Sequence, residues 1–155
     1  MKKFTVIGAG LAGCESAWQI AEAGYEVTLL EMKPEKFSPA HKNKNFAELV
    51  CSNSLKASRI DSAAGLLKEE MARLGSLTVP VARNCAVPAG GALAVDRNEF
   101  SQTITDMINS HPNITVENKL VEEISLDDDE ILIIATGPLT EGKLGEAIQN
   151  LCGDY

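Results

Sequence analysis

The sequence contains no apolar run that approaches the roughly 18–20 residues needed to span a bilayer. Its opening segment, residues 1–8, has a short apolar run that glycine ends at once, and it lacks the cleavage pattern of a signal peptide. These absences argue against the membrane-spanning and secreted classes of protein. We therefore expect a cytoplasmic protein with no membrane partner.

Paired cysteines are also missing. The four cysteines are widely spaced and form no Cys-X-X-Cys motif: Cys14, Cys51, Cys85 and Cys152. That spacing gives neither the ligands of a zinc site nor, in an intracellular chain, a disulfide framework. We expect no metal site.

The chain also lacks an overall positive charge, because its formal net charge is −8. This value argues against non-specific binding of nucleic acid by the whole surface. The charge is uneven, however, because residues 33–59 carry six basic and two acidic side chains, a net +4 that leaves −12 on the remainder. This basic segment is either a solvated loop or a strip that faces phosphates.

The first thirty residues have the pattern of a strand, a helix and a second strand. Residues 4–7 form an apolar run, residues 11–23 place small and apolar side chains at helical spacing, and residues 27–30 form the next apolar run. This length is that of a βαβ unit, which we assign to residues 4–31.

A glycine-rich turn joins the first predicted strand to the helix, and it reads Gly8-Ala9-Gly10-Leu11-Ala12-Gly13. The G-x-G-x-x-G pattern is weak alone but specific in this context. Gly8 permits the tight turn, Gly10 lets the backbone approach a diphosphate, and Gly13 lets the helix pack on the strand. The diphosphate is then favoured by the free N–H groups of the helix N-terminus.

Glu31 ends the second predicted strand, eighteen residues after Gly13. Its carboxylate can accept hydrogen bonds from ribose hydroxyls, and it would repel the 2′-phosphate of NADP. The βαβ unit alone leaves NAD and FAD open. A late strand, predicted to be buried, at residues 131–135 and followed by Thr136-Gly137 resembles flavoproteins with two dinucleotide-binding regions, which favours FAD.

The rest of the chain gives a coarser prediction. We expect a helix over residues 62–74 with Leu66, Leu67, Met71 and Leu74 on one apolar face. Strand-like pieces and turns would follow over 76–95, and then a helix capped by Asp96 that runs to Ser110. Two strands, residues 113–117 and 119–125, would lead to an acidic hairpin tip at 127–130, and a weak helix would end the chain. The predicted fold is α/β and Rossmann-like with a central parallel sheet, divided as βαβ 4–31, basic loop 32–60, helical and mixed insert 61–125, and late strand and turn 131–138.

Four segments carry a family resemblance, with Gly65-Leu66-Leu67-Lys68-Glu69-Glu70-Met71 between them. They are Glu31-Met32-Lys33-Pro34, Ala40-His41-Lys42, Ala47-Glu48-Leu49-Val50-Cys51-Ser52-Asn53-Ser54 and Val87-Pro88-Ala89-Gly90-Gly91-Ala92-Leu93-Ala94-Val95-Asp96-Arg97. With them, nearly the whole chain resembles the folate- and FAD-dependent tRNA (uracil-5-)-methyltransferases, a branch of the glucose-inhibited-division-protein group of flavoproteins. The resemblance implies an FAD site that contains the following residues: Gly8, Ala9, Gly10, Leu11, Ala12, Gly13, Glu31, Met32, Thr136 and Gly137.

The resemblance also implies the activity. Such enzymes methylate C5 of a T-loop uridine in tRNA, with methylenetetrahydrofolate as one-carbon donor and NAD(P)H as the reductant that regenerates the flavin. Cys51 falls on the cysteine that the family uses for covalent attack on uracil. The chemistry fits, because a thiolate at C6 makes C5 nucleophilic, and Lys42, Lys56 or Arg59 could lower the thiol pKa if they lie close. Ser52 and Asn53 could contact the uracil carbonyls.

Three other functions stay open at this point. The chain could belong to a related flavoprotein that modifies the wobble uridine, to an NAD- or FAD-dependent oxidoreductase of a small molecule, or to a non-catalytic nucleotide-binding fragment. Family members are much longer than 155 residues. We therefore expect this chain alone to be inactive and to bind FAD weakly.

Overall fold

The computed structural model describes residues 2–125 and 127–153, and its helices and strands form an α/β fold. In chain order they are β1 (Lys3–Ile7), α1 (Leu11–Glu22), β2 (Val27–Glu31), β3 (Ser54–Ala57), α2 (Ala63–Arg73), α3 (Thr78–Asn84), β4 (Ala86–Val87), β5 (Ala92–Val95), α4 (Arg97–Ser110), β6 (Ile114–Asn118), β7 (Glu130–Ile134) and α5 (Gly142–Cys152).

The main sheet has four strands in the order β6-β2-β1-β7, and all its neighbouring pairs are parallel. Val6 of β1 lies opposite Leu29 of β2 and Ile133 of β7, so apolar side chains continue across the strands. Parallel strands place their carboxyl ends along one edge of the sheet, where α/β folds bind ligands. The predicted Rossmann-like fold is confirmed. A second, antiparallel sheet has the order β3-β5-β4.

Helix α1 packs closely because the residues on its buried face are small. Gly13, Cys14, Ala17 and Ala21 are all buried. The core continues into α4, whose apolar side chains include Ile104 and others that are fully buried. Small side chains bring the helix axis close to the sheet, which fixes the position of the turn that precedes α1.

Helix α4 begins where the sequence predicts. One carboxylate oxygen of Asp96 accepts hydrogen bonds from the N–H groups of Asn98 (2.9 Å) and Glu99 (3.0 Å), so Asp96 is the N-cap. The N–H of Asp96 donates to the carbonyl of Cys85 at 2.9 Å, which joins α4 to the end of α3.

The prediction for residues 76–95 is partly wrong, because residues 78–84 form helix α3. Pro80 lies in the first turn of this helix, where a missing N–H is tolerated. The carboxylate of Glu15 in α1 accepts hydrogen bonds from the N–H groups of Leu77 and Thr78 at 3.1 Å, so it caps α3 from a distant part of the chain.

The predicted apolar face of the second helix is not a core face. Leu66, Leu67 and Leu74 are exposed, and the helix α2 instead buries Gly65 and Lys68. The ammonium of Lys68 donates to the carbonyls of Leu55 and Ala64, both at 2.7 Å, and so joins α2 to β3.

Two further predictions near the end of the sheet need correction. Residues 119–125 form no strand, and the acidic turn before β7 is not a hairpin tip, because β6 and β7 are the two outer strands of a parallel sheet. Strand β7 is half-buried rather than buried, with Ile131 and Ile134 each 37% exposed. The basic loop predicted at 32–60 contains the short strand β3.

Candidate functional site

The glycine-rich turn lies at the carboxyl edge of the main sheet, between β1 and α1. Gly8 has φ +96°, a conformation that favours glycine. A methyl group on Gly13 would lie 1.7 Å from the carbonyl oxygen of Gly8, so the turn closes on itself only with glycine there. A methyl group on Gly10 would meet no heavy atom within 4 Å, which leaves its surface open to a ligand.

The N-terminus of α1 is open as well. Gly10 is the N-cap residue, and no side chain of the described residues caps the helix. The N–H groups of a first helical turn have no partner within the helix, and the helix dipole adds positive potential there. An anion such as a diphosphate is the group that this arrangement favours.

Glu31 reaches the glycine turn from the end of β2. One of its carboxylate oxygens accepts the N–H of Ala9 at 2.7 Å, and the other accepts the N–H of Lys33 at 2.9 Å. Its side chain is buried, and a carboxylate offers about four acceptor positions, so two remain for hydroxyl groups. The half-buried Met32 follows it at the same edge.

The predicted late turn also lies against the glycine turn. The N–H of Ala135 donates to the carbonyl of Ile7 at 2.8 Å, and a methyl group on Gly8 would come within 3.1 Å of the Cα atom of Thr136. Gly137 has φ +78°, and its carbonyl accepts the hydroxyl of Thr140 at 2.8 Å. The structure therefore brings the glycine turn, Glu31 and Thr136 together.

The loop after β2 folds back onto this site, which sequence reasoning did not anticipate. The N–H of Ala47 donates to the carbonyl of Ala9 at 2.9 Å. Beneath the loop, the buried ammonium of Lys33 donates to the carbonyls of Asn43 (3.2 Å) and Asn45. Burial lowers the pKa of Lys33, against the opposing effect of the nearby Glu31 and Glu48 carboxylates. The sequence signal for this folded-back loop was the apolar pair Phe46 and Leu49, because both side chains are buried in the structure.

Cys51 lies on the surface, four residues after Ala47. The segment that carries it is held by Asn53, whose carbonyl accepts the N–H of Val95 at 2.9 Å and whose side-chain amide donates to the carbonyl of Val95 at 3.1 Å. The hydroxyl of Ser52 accepts the N–H of Ser54 at 3.0 Å and keeps its own hydrogen for another acceptor. The thiol is thus presented to solvent by anchored neighbours.

The cations predicted to influence Cys51 have different positions. The guanidinium of Arg59 forms an ion pair with Asp61, which raises the Arg59 pKa. Lys56 lies in β3 with φ +69°, and Lys42 lines a cavity described below. Arg59 therefore pairs with Asp61 and not with the Cys51 thiol.

The other three cysteines and His41 differ in their burial and in their hydrogen bonds. Burial raises the pKa of Cys14 to about 12, and its thiol donates to the carbonyl of Ala9 at 3.4 Å. Burial also raises the pKa of Cys85, whereas Cys152 is exposed. The ring of His41 lies 2.6 Å from the hydroxyl of Ser38.

Residues 2–125 and 127–153 contain neither a metal-binding cluster nor a membrane-spanning helix. No group of three or more His, Cys, Asp or Glu side chains in these ranges could hold a metal ion. None of the helices within them has the length and apolar character needed to cross a membrane.

Comparison with known proteins adds the family context. Residues 3–148 match the family described as glucose inhibited division protein A. The methylenetetrahydrofolate–tRNA-(uracil-5-)-methyltransferase TrmFO of Enterococcus faecalis is 58% identical over 152 residues, which are 98% of this chain and 34% of that protein. The chain thus spans about a third of the length of the curated relative that it matches.

Solved structures share the fold at low sequence identity. GidA of Aquifex aeolicus in its form I crystal superposes with a TM-score of 0.70 at 13% identity, covering 88% of this chain and 25% of that one. The p-nitrophenol 4-monooxygenase PnpA of Pseudomonas putida superposes with a TM-score of 0.53 at 19% identity, covering 83% of this chain and 34% of that one.

Proposed function

We propose that this chain, which belongs to the glucose inhibited division protein A family, forms the part of a tRNA (uracil-5-)-methyltransferase that holds the ADP half of FAD and presents the Cys51 thiol. The single observation that carries the methyl-transfer proposal is the 58% identity with the Enterococcus faecalis methyltransferase over nearly the whole chain. The geometry of the glycine turn carries the cofactor proposal.

The residues at the carboxyl edge fit a dinucleotide. The open surface of Gly10 and the uncapped start of α1 suit a diphosphate, and the free acceptor positions of Glu31 suit the adjoining ribose. Met32, Thr136 and Gly137 would complete the site around them. When bound, reduced FAD, regenerated by NAD(P)H, would supply the reducing equivalents for the methyl group.

Cys51 would act on the uracil ring. Its thiolate would add to C6, forming a C6–S bond and moving the electron pair of the C5–C6 double bond to C5 and the adjacent carbonyl. C5 would then attack the methylene carbon of methylenetetrahydrofolate, whose bonds to the two folate nitrogens would break in turn and release tetrahydrofolate. Loss of the C5 proton, addition of a hydride equivalent from the reduced flavin to the transferred carbon and departure of the thiolate would give the methyl group and restore the C5–C6 double bond. The exposed position of Cys51 leaves the thiol accessible to a nucleotide.

The T-loop uridine of tRNA is the proposed substrate, and the test uses the full-length enzyme. Cys51→Ala should abolish formation of 5-methyluridine in tRNA supplied with methylenetetrahydrofolate and NADPH. Cys152→Ala is the matched control, because Cys152 is also an exposed thiol and should leave methylation intact. Unchanged methylation by Cys51→Ala would remove this thiol from the mechanism. Absence of methylation by the unmodified enzyme would refute the proposed function itself.

A further inference from the structure

A cavity of about 730 Å³ lies beside the segment that carries Cys51, and its lining is rich in positive charge. Lys42 and Lys44 of the loop after β2 contribute to one part of the wall, and Arg97 at the start of α4 contributes to another. Leu49 also lines the cavity, only two residues before Cys51. Two peptide steps span at most about 7.2 Å between Cα atoms, so the cavity lies close to the residue that carries the thiol.

The three cations are available to a ligand. Among residues 2–125 and 127–153, Lys42, Lys44 and Arg97 form no ion pair with a carboxylate. Arg97 donates one hydrogen bond, to the carbonyl of Leu49 at 3.4 Å, which orients the guanidinium at the wall. A guanidinium has five N–H donors, so several remain for other acceptors.

Glu48, the acidic side chain on the wall, is occupied by the loop itself. Its carboxylate accepts the N–H groups of Lys42 (3.0 Å) and Asn43 (3.1 Å), and it lies 4.0 Å from the buried ammonium of Lys33. It therefore serves to shape the loop and partly balances Lys33. The charge presented to the cavity remains positive.

An aromatic side chain completes the wall. Phe37 lines the cavity and is 39% exposed, so its ring is accessible to a ligand there. Cations that track phosphates, combined with an aromatic ring on which a base can stack, are the groups that single-stranded nucleic acid requires. The strong negative charge elsewhere on the chain would direct a polyanion to this cavity.

We propose that this cavity is a phosphate-binding subsite for the RNA nucleotides next to the uridine that Cys51 attacks. The inference rests on the proposed function. Lys42, Lys44 and Arg97 pair with backbone phosphates, and Phe37 stacks on a neighbouring base. The subsite positions the strand, whereas the thiol acts on the ring.

The test compares two double variants of the full-length enzyme that lose the same charge. Lys42→Gln/Lys44→Gln removes cations from the cavity wall, and Lys2→Gln/Lys143→Gln removes exposed cations that do not line it. The dissociation constant of a tRNA transcript is measured at several salt concentrations, and flavin content is measured by absorbance. The cavity variant should bind tRNA at least about tenfold more weakly, with a log–log salt slope smaller by about 1.4, while flavin content and the control stay unchanged.

Two results would overturn the proposal. Loss of flavin by the cavity variant, with unchanged tRNA affinity of the enzyme that keeps flavin, would assign the cations to a cofactor phosphate. Equal tRNA affinity and salt slope in both double variants would make the wall a solvated surface. Failure of the proposed function is distinguished from both, because it appears in the unmodified enzyme as absent methylation.

Discussion

Two alanine substitutions in the glycine turn should separate stability from cofactor binding, because Gly13→Ala should destabilise the fold and Gly10→Ala should weaken flavin binding alone. In Gly13→Ala, the new methyl group would lie 1.7 Å from the Gly8 carbonyl oxygen, so the turn must open by about 1.3 Å to restore a 3.0 Å contact. The obstacle is backbone rather than a flexible side chain. We expect a loss of about 3 kcal/mol or more in the free energy of unfolding, at the upper end of overpacking effects.

Gly10→Ala should leave the fold nearly unchanged. Gly10 has φ −73° and ψ −171°, which alanine adopts, and its methyl group would meet no heavy atom within 4 Å. We expect the unfolding free energy to change by less than about 1 kcal/mol, since a weaker N-cap and a less flexible unfolded chain act in opposite directions. The methyl group would stand where the diphosphate approaches, so FAD binding should weaken by at least about tenfold, or ~1.4 kcal/mol.

Urea denaturation and flavin titration of the full-length enzyme separate these effects. The proposed site requires Gly10→Ala to be stable and poor in flavin. If Gly10→Ala bound FAD as tightly as the unmodified enzyme, the diphosphate would not lie on this turn. If Gly13→Ala unfolded at the same urea concentration as the unmodified enzyme, the close packing of Gly13 on Gly8 would be refuted.

Two further predictions concern groups away from the turn. Burial alone would raise the pKa of Glu15, but hydrogen bonds led by those from Thr78 hold it below its ordinary value. The ionised carboxylate therefore stabilises the fold at any pH above the pKa of Glu15 in the unfolded chain. That stabilisation is lost as the pH falls through the lower pKa of the folded state. Glu15→Gln should therefore lower the free energy of unfolding by about 1–2 kcal/mol at pH 7 and by less at pH 3, as measured by urea denaturation. An equal loss at both pH values would contradict the role of the ionised carboxylate. A thiol reagent should modify Cys51 and Cys152 in the native protein but reach Cys14 and Cys85 only on unfolding, and rapid modification of either of these two would contradict its burial.

The sequence predicts the βαβ unit well because its signals are local. Apolar runs, helical spacing and the glycines all lie within a single strand-helix-strand length, and Asp96 announces α4 in the same way. Helix α3 is different, because its cap comes from Glu15, about sixty residues earlier in the chain. Pro80 also favours a turn when the sequence is considered locally, although proline is tolerated in the first turn of a helix.

The same distinction applies to the candidate site. The glycines and Glu31 could be found from spacing, since each performs its task next to a predicted strand. The position of the loop could not, because it depends on contacts such as that between Ala47 and Ala9, which join residues far apart in the chain. Exposed leucines on and next to α2 show that apolar residues at helical spacing do not by themselves predict which face of a helix is buried.

The hydrogen bonds that Ala9 makes with Glu31 and Ala47 have a consequence for the energetics of recognition. Its N–H is held by Glu31 and its carbonyl by Ala47, so the peptide planes on both sides of this residue are fixed in the protein itself. A ligand that arrives at the turn would meet amides already oriented, and little backbone entropy would be lost on association. The rigidity of this short stretch would then appear as slow dissociation.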